Sequence, residues 1–246
     1  MSGVDETQST DRAWRSMYVI GAIAAILALL GTIADIVIAS IPGWQTSTVP
    51  TSIVGWFAQF QANPLLGLRN LDLLNIVISV IAVPMYVALY GVHRRVSQGL
   101  AALALVVVTL GTSVFVAGNA ALPMLGLSRQ FLLATTDSQH LALQGAAQAI
   151  LATGAHGSMG AFAGFFLSSM GTVLMAVAML EGGVFGRLAS WTGIVGMSLL
   201  LVYVVGTAFA LAPTGVLMIV AMPGGLMMIA WYVMVARKLF RLALRE

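Results

Sequence analysis

Long apolar runs alternate along the chain with short polar gaps. A helix rises 1.5 Å per residue, so about 20 mostly apolar residues cross the ~30 Å hydrocarbon core of a bilayer. Six runs reach that length: 16–41, 71–92, 99–122, 158–180, 187–211 and 215–239. The pattern predicts an all-α fold, an integral membrane bundle of six transmembrane helices. Residues 1–246 form a single membrane domain, with 1–15 as a short cytoplasmic tail. Asp5, Glu6 and Asp11 are out of place in the basic start of a cleaved leader, and the first run is too long for one. The first span is therefore expected to be retained.

Two gaps are long, 42–70 and 123–157. The first carries Trp44, Trp56, Phe57 and Phe60 around the run SIVGWFAQF, an aromatic content that suits the membrane interface. In the second, His140, Gln144 and Gln148 recur every four residues, and Leu143, Ala147 and Leu151 do so on another side. Asp137 and His140 argue against a seventh span. The expectation is an external amphipathic helix over 129–153, between the third and fourth spans, which either lies on the bilayer or caps the bundle.

Lysines and arginines set the orientation, because they accumulate in cytoplasmic loops. With the N-terminus inside, Arg12, Arg15, Arg94, Arg95, Arg187, Arg237, Lys238, Arg241 and Arg245 all fall inside. Only Arg69 and Arg129 fall outside. Both termini are thus predicted to be cytoplasmic and both long gaps external.

Composition agrees. Hydrophobic residues make up 60% of the chain and charged residues 8%, where a soluble domain carries about 25% charged. Mean hydropathy is +1.00. The net charge of +3 does not indicate nucleic acid as a partner, because the cations sit in gaps between spans rather than on one soluble face. The absence of cysteine excludes disulfides, thiolate metal sites and cysteine nucleophiles. No GxSxG, HExxH, P-loop or strand–helix GxGxxG occurs.

No metal or cofactor is expected. His140 and His156 lie sixteen residues apart, which is no ligand spacing, and all three histidines sit at or beyond span ends, where a bis-histidine haem cannot form. His93, beside Arg94 and Arg95, reads as part of the inner basic cap.

The candidate chemistry is polar groups placed at similar depth. The first span runs outward, which puts Asp35 in its outer half. Asp72 and Asn75 begin the second span at the outer side, Asn119 lies near the outer end of the third, and His156 just precedes the fourth. Arg69 sits above them. An aspartate at the centre of a span costs about 2.5–3.5 kcal/mol on insertion scales, so Asp35 must face the bundle interior, water or a partner. One reading is an outward-facing polar pocket built from Asp35, Arg69, Asp72, Asn75, Asn119 and His156. The other is structural: Asn70 caps the second span, Asp72 complements its dipole, Asp35 pairs with Arg69, and Asn119 bonds a backbone carbonyl.

Gly160-Ala-Phe-Ala-Gly164 is a GxxxG that lets two helices approach closely. Pro84 and Pro223-Gly224-Gly225 predict a bend in the second span and a kink or short break in the sixth.

The runs RNLDLLNIVISVIAVPMYVALYGVHRR (69–95), LSRQFLLATTDSQHLALQGAAQAILATG (127–154), GRLASWTGIVG (186–196) and WYVMVARKLFRL (231–242) resemble a large, uncharacterised family of bacterial and archaeal multi-pass membrane proteins, a domain of unknown function. The most specific piece is the L-D-L-L-N start of the second span with its later proline and A-L-Y. The resemblance implies a prokaryotic plasma-membrane protein and no activity.

Three functional expectations follow. The first is a non-enzymatic protein that binds or moves a small molecule or lipid through the external pocket. The second is an accessory or interaction subunit, homo-oligomeric or bound to a membrane partner. The third is an intramembrane enzyme using Asp35 or Asp72 with His156. In each, the lipid bilayer is the surrounding partner.

Overall fold

The computed structural model describes residues 2–44 and 49–244, with side chains from Trp14 onward except that of Thr214. Arg245 and the side chain of Arg12, both counted among the inner charges, lie outside the described residues. Among the described residues every regular element is a helix: α1 (Ser2–Ala39), α2 (Ile53–Ala62), α3 (Pro64–Asn70), α4 (Leu73–His93), α5 (Gln98–Gly118), α6 (Ala121–Leu133), α7 (Asp137–Gly154), α8 (Met159–Gly182), α9 (Gly186–Ala208) and α10 (Thr214–Ala243).

Six stretches are long and apolar enough to cross a membrane: Trp14–Ala39, Leu73–His93, Gln98–Leu133, Asp137–Gly182, Gly186–Ala208 and Gly215–Ala243. The chain is thus built as a multi-pass membrane protein. The third and fourth stretches exceed one crossing because each contains two helices. Outward-facing positions are apolar, as lipid requires: Leu30, Ile36, Val106, Leu110, Ile219 and Leu226 are each more than half exposed.

The six long helices pack as a closed ring in sequence order, α1–α4–α5–α8–α9–α10, with α10 returning to α1. Small residues permit the tightest seam, between α5 and α8. A Cβ on Gly171 would lie 2.6 Å from the Val108 backbone nitrogen, and one on Gly164 would lie 2.9 Å from that of Phe115. A Cβ on Gly111 would lie 2.5 Å from Ser168 Oγ. Lipid gives no hydrophobic drive between helices, so such backbone contact carries the association. The two glycines of the GxxxG serve different neighbours: Gly164 meets α5, whereas Gly160 abuts the Thr153 carbonyl of α7.

The long gaps fold into a cap of α2, α3, α6 and α7 over one end of the ring. Local signals start these helices. Ser52 accepts from the Gly55 amide, Asn63 accepts from Leu66 ahead of Pro64, and Thr136 forms a capping box with Gln139. The cap has its own core, in which Trp56, Phe57 and Phe60 pack with Leu71, Met124 and Ala147.

The structure corrects several expectations. Residues 2–13 are helical and run on into the stretch Trp14–Ala39 that is long and apolar enough to cross. The third span ends at Gly118 rather than 122, because Asn119 is extended there and α6 starts afresh. Trp56, Phe57 and Phe60 are buried in the cap core instead of lying at an interface. The 129–153 segment is divided between α6 and α7, and Ala147 of α7 faces the cap core. The α10 helix runs unbroken through Pro223. Gly224 lets α10 approach α9, since its Cβ would lie 2.9 Å from the Gly196 carbonyl.

His93 is not part of a solvated basic cap. It is fully buried, donates from Nδ1 to the Leu89 carbonyl at 2.7 Å and stacks on Phe185.

Overpacking the α5–α8 seam should cost about 1–3 kcal/mol. Gly171→Val is expected to lower the thermal unfolding midpoint in detergent. Gly126→Ala, where an added Cβ meets nothing within 4 Å, should leave it unchanged or raise it slightly.

Candidate functional site

The site lies where the cap meets the ring, and it begins with a backbone turn. Between α3 and α4 the chain passes through Asp72, whose φ of 63° and ψ of 19° place it in the left-handed region. Aspartate tolerates that region better than most residues. Asp72 occupies the N-cap position of α4 but makes no side-chain cap bond. Its carboxylate is otherwise engaged: Oδ1 accepts from Asn75 Nδ2 at 2.9 Å, and Oδ2 accepts from His156 Nδ1 at 2.8 Å. The side chain of Asp72 is 8% exposed and that of His156 51%, so the imidazole covers the carboxylate from the solvent side. His156 comes from the link between α7 and α8 and meets Phe165 edge-on.

A second pair stands beside the first. Arg69 Nε lies 3.4 Å from Asp35 Oδ1, which joins α3 of the cap to α1 of the ring. That approach lacks hydrogen-bond geometry, and Nε is buried without a hydrogen-bond partner. Arg69 Nη1 donates to the Trp44 carbonyl at 2.7 Å and reaches Asn70 Oδ1 at 3.5 Å. The guanidinium thus supplies the opposite charge that an aspartate in an apolar bundle requires.

Five of the six expected residues line one cavity of about 410 Å³: Asp35, Arg69, Asp72, Asn75 and His156. Trp56 and Tyr203 also line it, and sequence reasoning missed both. Trp56 had been read as an interface aromatic, and Tyr203 is a single tyrosine in an apolar span with no pattern to single it out. The lining holds two carboxylates, one guanidinium and one imidazole, which can accept, donate and exchange a proton within one space.

Asn119 stands apart from this cavity. It donates from Nδ2 to the Leu71 carbonyl at 2.7 Å and accepts the Ala121 amide at 2.8 Å. It fastens the α5–α6 break to the α3–α4 turn, which is the backbone role weighed for it from the sequence. Asn70 does not cap α4; it ends α3 and donates to Gln59 Oε1 at 3.2 Å. Among the described residues, no group of three His, Asp or Glu side chains converges in a way that could hold a metal.

Removing Asn119 should leave a buried carbonyl and an amide unpaired, at a cost of about 1–3 kcal/mol. Asn119→Ala is expected to lower the unfolding midpoint. Asn119→Asp, which keeps the acceptor for Ala121, should fall between it and the native protein.

No protein-family model, curated protein or solved structure matches this chain.

Proposed function

We propose that this chain is a prokaryotic plasma-membrane protein that binds or moves a small molecule or lipid through the cavity of Asp35, Arg69, Asp72, Asn75 and His156. The observation that carries this reading is the convergence of those five side chains, from α1, α3, α4 and the α7–α8 link, on one space. A purely structural set of pairs would fill its own volume; here the pairs border an opening.

Charge asymmetry supports an outward-facing cavity with both termini cytoplasmic. Arg15, Arg94, Arg95, Arg187, Arg237, Lys238 and Arg241 belong to the ring end opposite the cap, and Arg69 and Arg129 to the cap. At that opposite end the Arg94 guanidinium lies 4.6 Å from the Trp14 ring centroid. Membership in the uncharacterised multi-pass family belongs to the same proposal and rests on the motifs quoted above.

The Asp72–His156 contact favours a second reading, an intramembrane enzyme in which the carboxylate orients the imidazole as a base. Such a base acts only on a substrate placed in the cavity, so both readings share the site.

Native mass spectrometry of the protein released from mild detergent tests both. The expected outcome is a reproducible adduct that disappears in Asp35→Asn while the protein remains monodisperse. An adduct retained in Asp35→Asn would sink the pocket reading, and a bare homo-oligomer would favour an accessory role. An adduct converted to a new mass by the native protein, but not by His156→Gln, would favour the enzyme. Orientation is checked separately on the cysteine-free chain. Ser138→Cys should react with a membrane-impermeant maleimide in intact cells, and Gln98→Cys only after permeabilisation.

A further inference from the structure

The ring borders a second cavity, of about 250 Å³. Every helix of the ring contributes to its wall, through Thr32, Tyr86, Thr112, Ser169, Leu200 and Tyr232 in chain order. Asn75 lines both this chamber and the cavity above it. Below the chamber, buried Leu89, Met175, Met179, Trp231 and Leu239 fill the bundle.

Among the described residues, no Asp, Glu, Lys, Arg or His side chain lines the chamber. Its polar groups are mostly hydroxyls, and they divide into two classes. Thr32 donates to the Ala28 carbonyl at 2.9 Å, and Ser79 donates to the Asn75 carbonyl at 2.7 Å. Thr172 is bonded to the Ser168 carbonyl and to Tyr86 Oη. Thr112 and Ser169 are different. They are 6% and 7% exposed, line the chamber and have no side-chain hydrogen bond to any described residue. The Tyr232 hydroxyl has none either.

None of the three hydroxyl oxygens is among the buried side-chain atoms that lack a partner, so each is open to the chamber and free to bond an occupant there. Water alone fits poorly. The volume corresponds to about eight waters, each needing two to four polar partners. Most of the wall is apolar, from residues such as Ile78, Val108, Phe165 and Met228. An ion fits no better, since a charge at this depth would have no counter-charge.

We infer that the chamber is a binding site for an uncharged molecule with an apolar body and at least one hydroxyl or carbonyl oxygen, held by Thr112, Ser169 and Tyr232. This site is additional to the cavity at the cap, with which it shares only Asn75 among its lining residues, so the two are tested apart.

The test is ligand-observed fluorine NMR on the full chain in lipid nanodiscs, with empty nanodiscs subtracted for partitioning. The probes share one body: para-fluorobenzyl alcohol, para-fluorotoluene, para-fluorobenzoate and para-fluorobenzylammonium. Saturable binding is expected for the alcohol alone. Thr112→Val and Ser169→Ala, which nearly preserve volume, should each weaken it by about 3- to 10-fold. Gly126→Ala, remote from both cavities, should leave it unchanged. The inference is overturned if the alcohol shows no saturable binding, if the toluene binds equally well, or if a folded Thr112→Val/Ser169→Ala protein binds the alcohol as before. Binding of a charged probe alone, lost in Asp35→Asn, would overturn the chamber and leave the outer-cavity reading intact.

Discussion

A buried backbone polar group must find a partner within the protein, and that constraint organises the cap end of this bundle. The chain leaves helical geometry there at Leu71–Asp72, at Asn119–Ala120 and between Gly154 and Met159. Each break frees backbone groups, and the breaks seal one another. Asn119 pairs the Leu71 carbonyl with one hand and the Ala121 amide with the other. The Ala120 amide donates to the Gly154 carbonyl at 3.3 Å, and Asp72 is joined to His156 across the third break. The polar cavity forms where these mutual repairs leave room between the cap and the ring.

The spans were legible because bilayer thickness imposes a length and lipid imposes an apolar exterior; both leave marks that a single sequence shows. The cap was less legible. Trp56, Phe57 and Phe60 occur in an apolar segment too short to cross, and a segment of that kind suits an interface as well as a small core. Only the arrival of Leu71, Met124 and Ala147 from distant positions decides between them. The end of the third span was misplaced for a related reason. Ala-Ala-Leu after Asn119 continues the apolar run, so hydropathy carries on where the hydrogen bonds stop. His93 was misread through its neighbours. Arg95 is exposed and Arg94 half-buried over Trp14, whereas His93, the last residue of α4, faces the interior against Phe185.

The convergence of polar residues at the cap end was legible to the extent that depth can be counted along antiparallel spans. That count gathers Asp35, Asp72, Asn75 and His156 at one level, because each lies a similar distance from its helix end. It does not tell which side of a helix faces inward, so Asn119 was grouped with the pocket when its side chain serves the backbone. The hydroxyl chamber was invisible for the same reason. Serine and threonine in apolar helices commonly bond the carbonyl a turn earlier. Thr112 and Thr109 look alike in sequence, yet Thr109 bonds the Leu105 carbonyl and Thr112 faces the chamber.

The order of the ring bears on how the molecule is made. Neighbours in the circle are neighbours along the chain, so each crossing can dock on the one inserted just before it. One seam breaks this rule: α1 must wait for α10, the last helix of the ring to emerge. Without that seam the ring would be an open arc, and Thr112 and Ser169 would line a groove rather than a chamber. Because Tyr232 of α10 and Thr32 of α1 both line the chamber, closing that last seam and completing the chamber wall are one event.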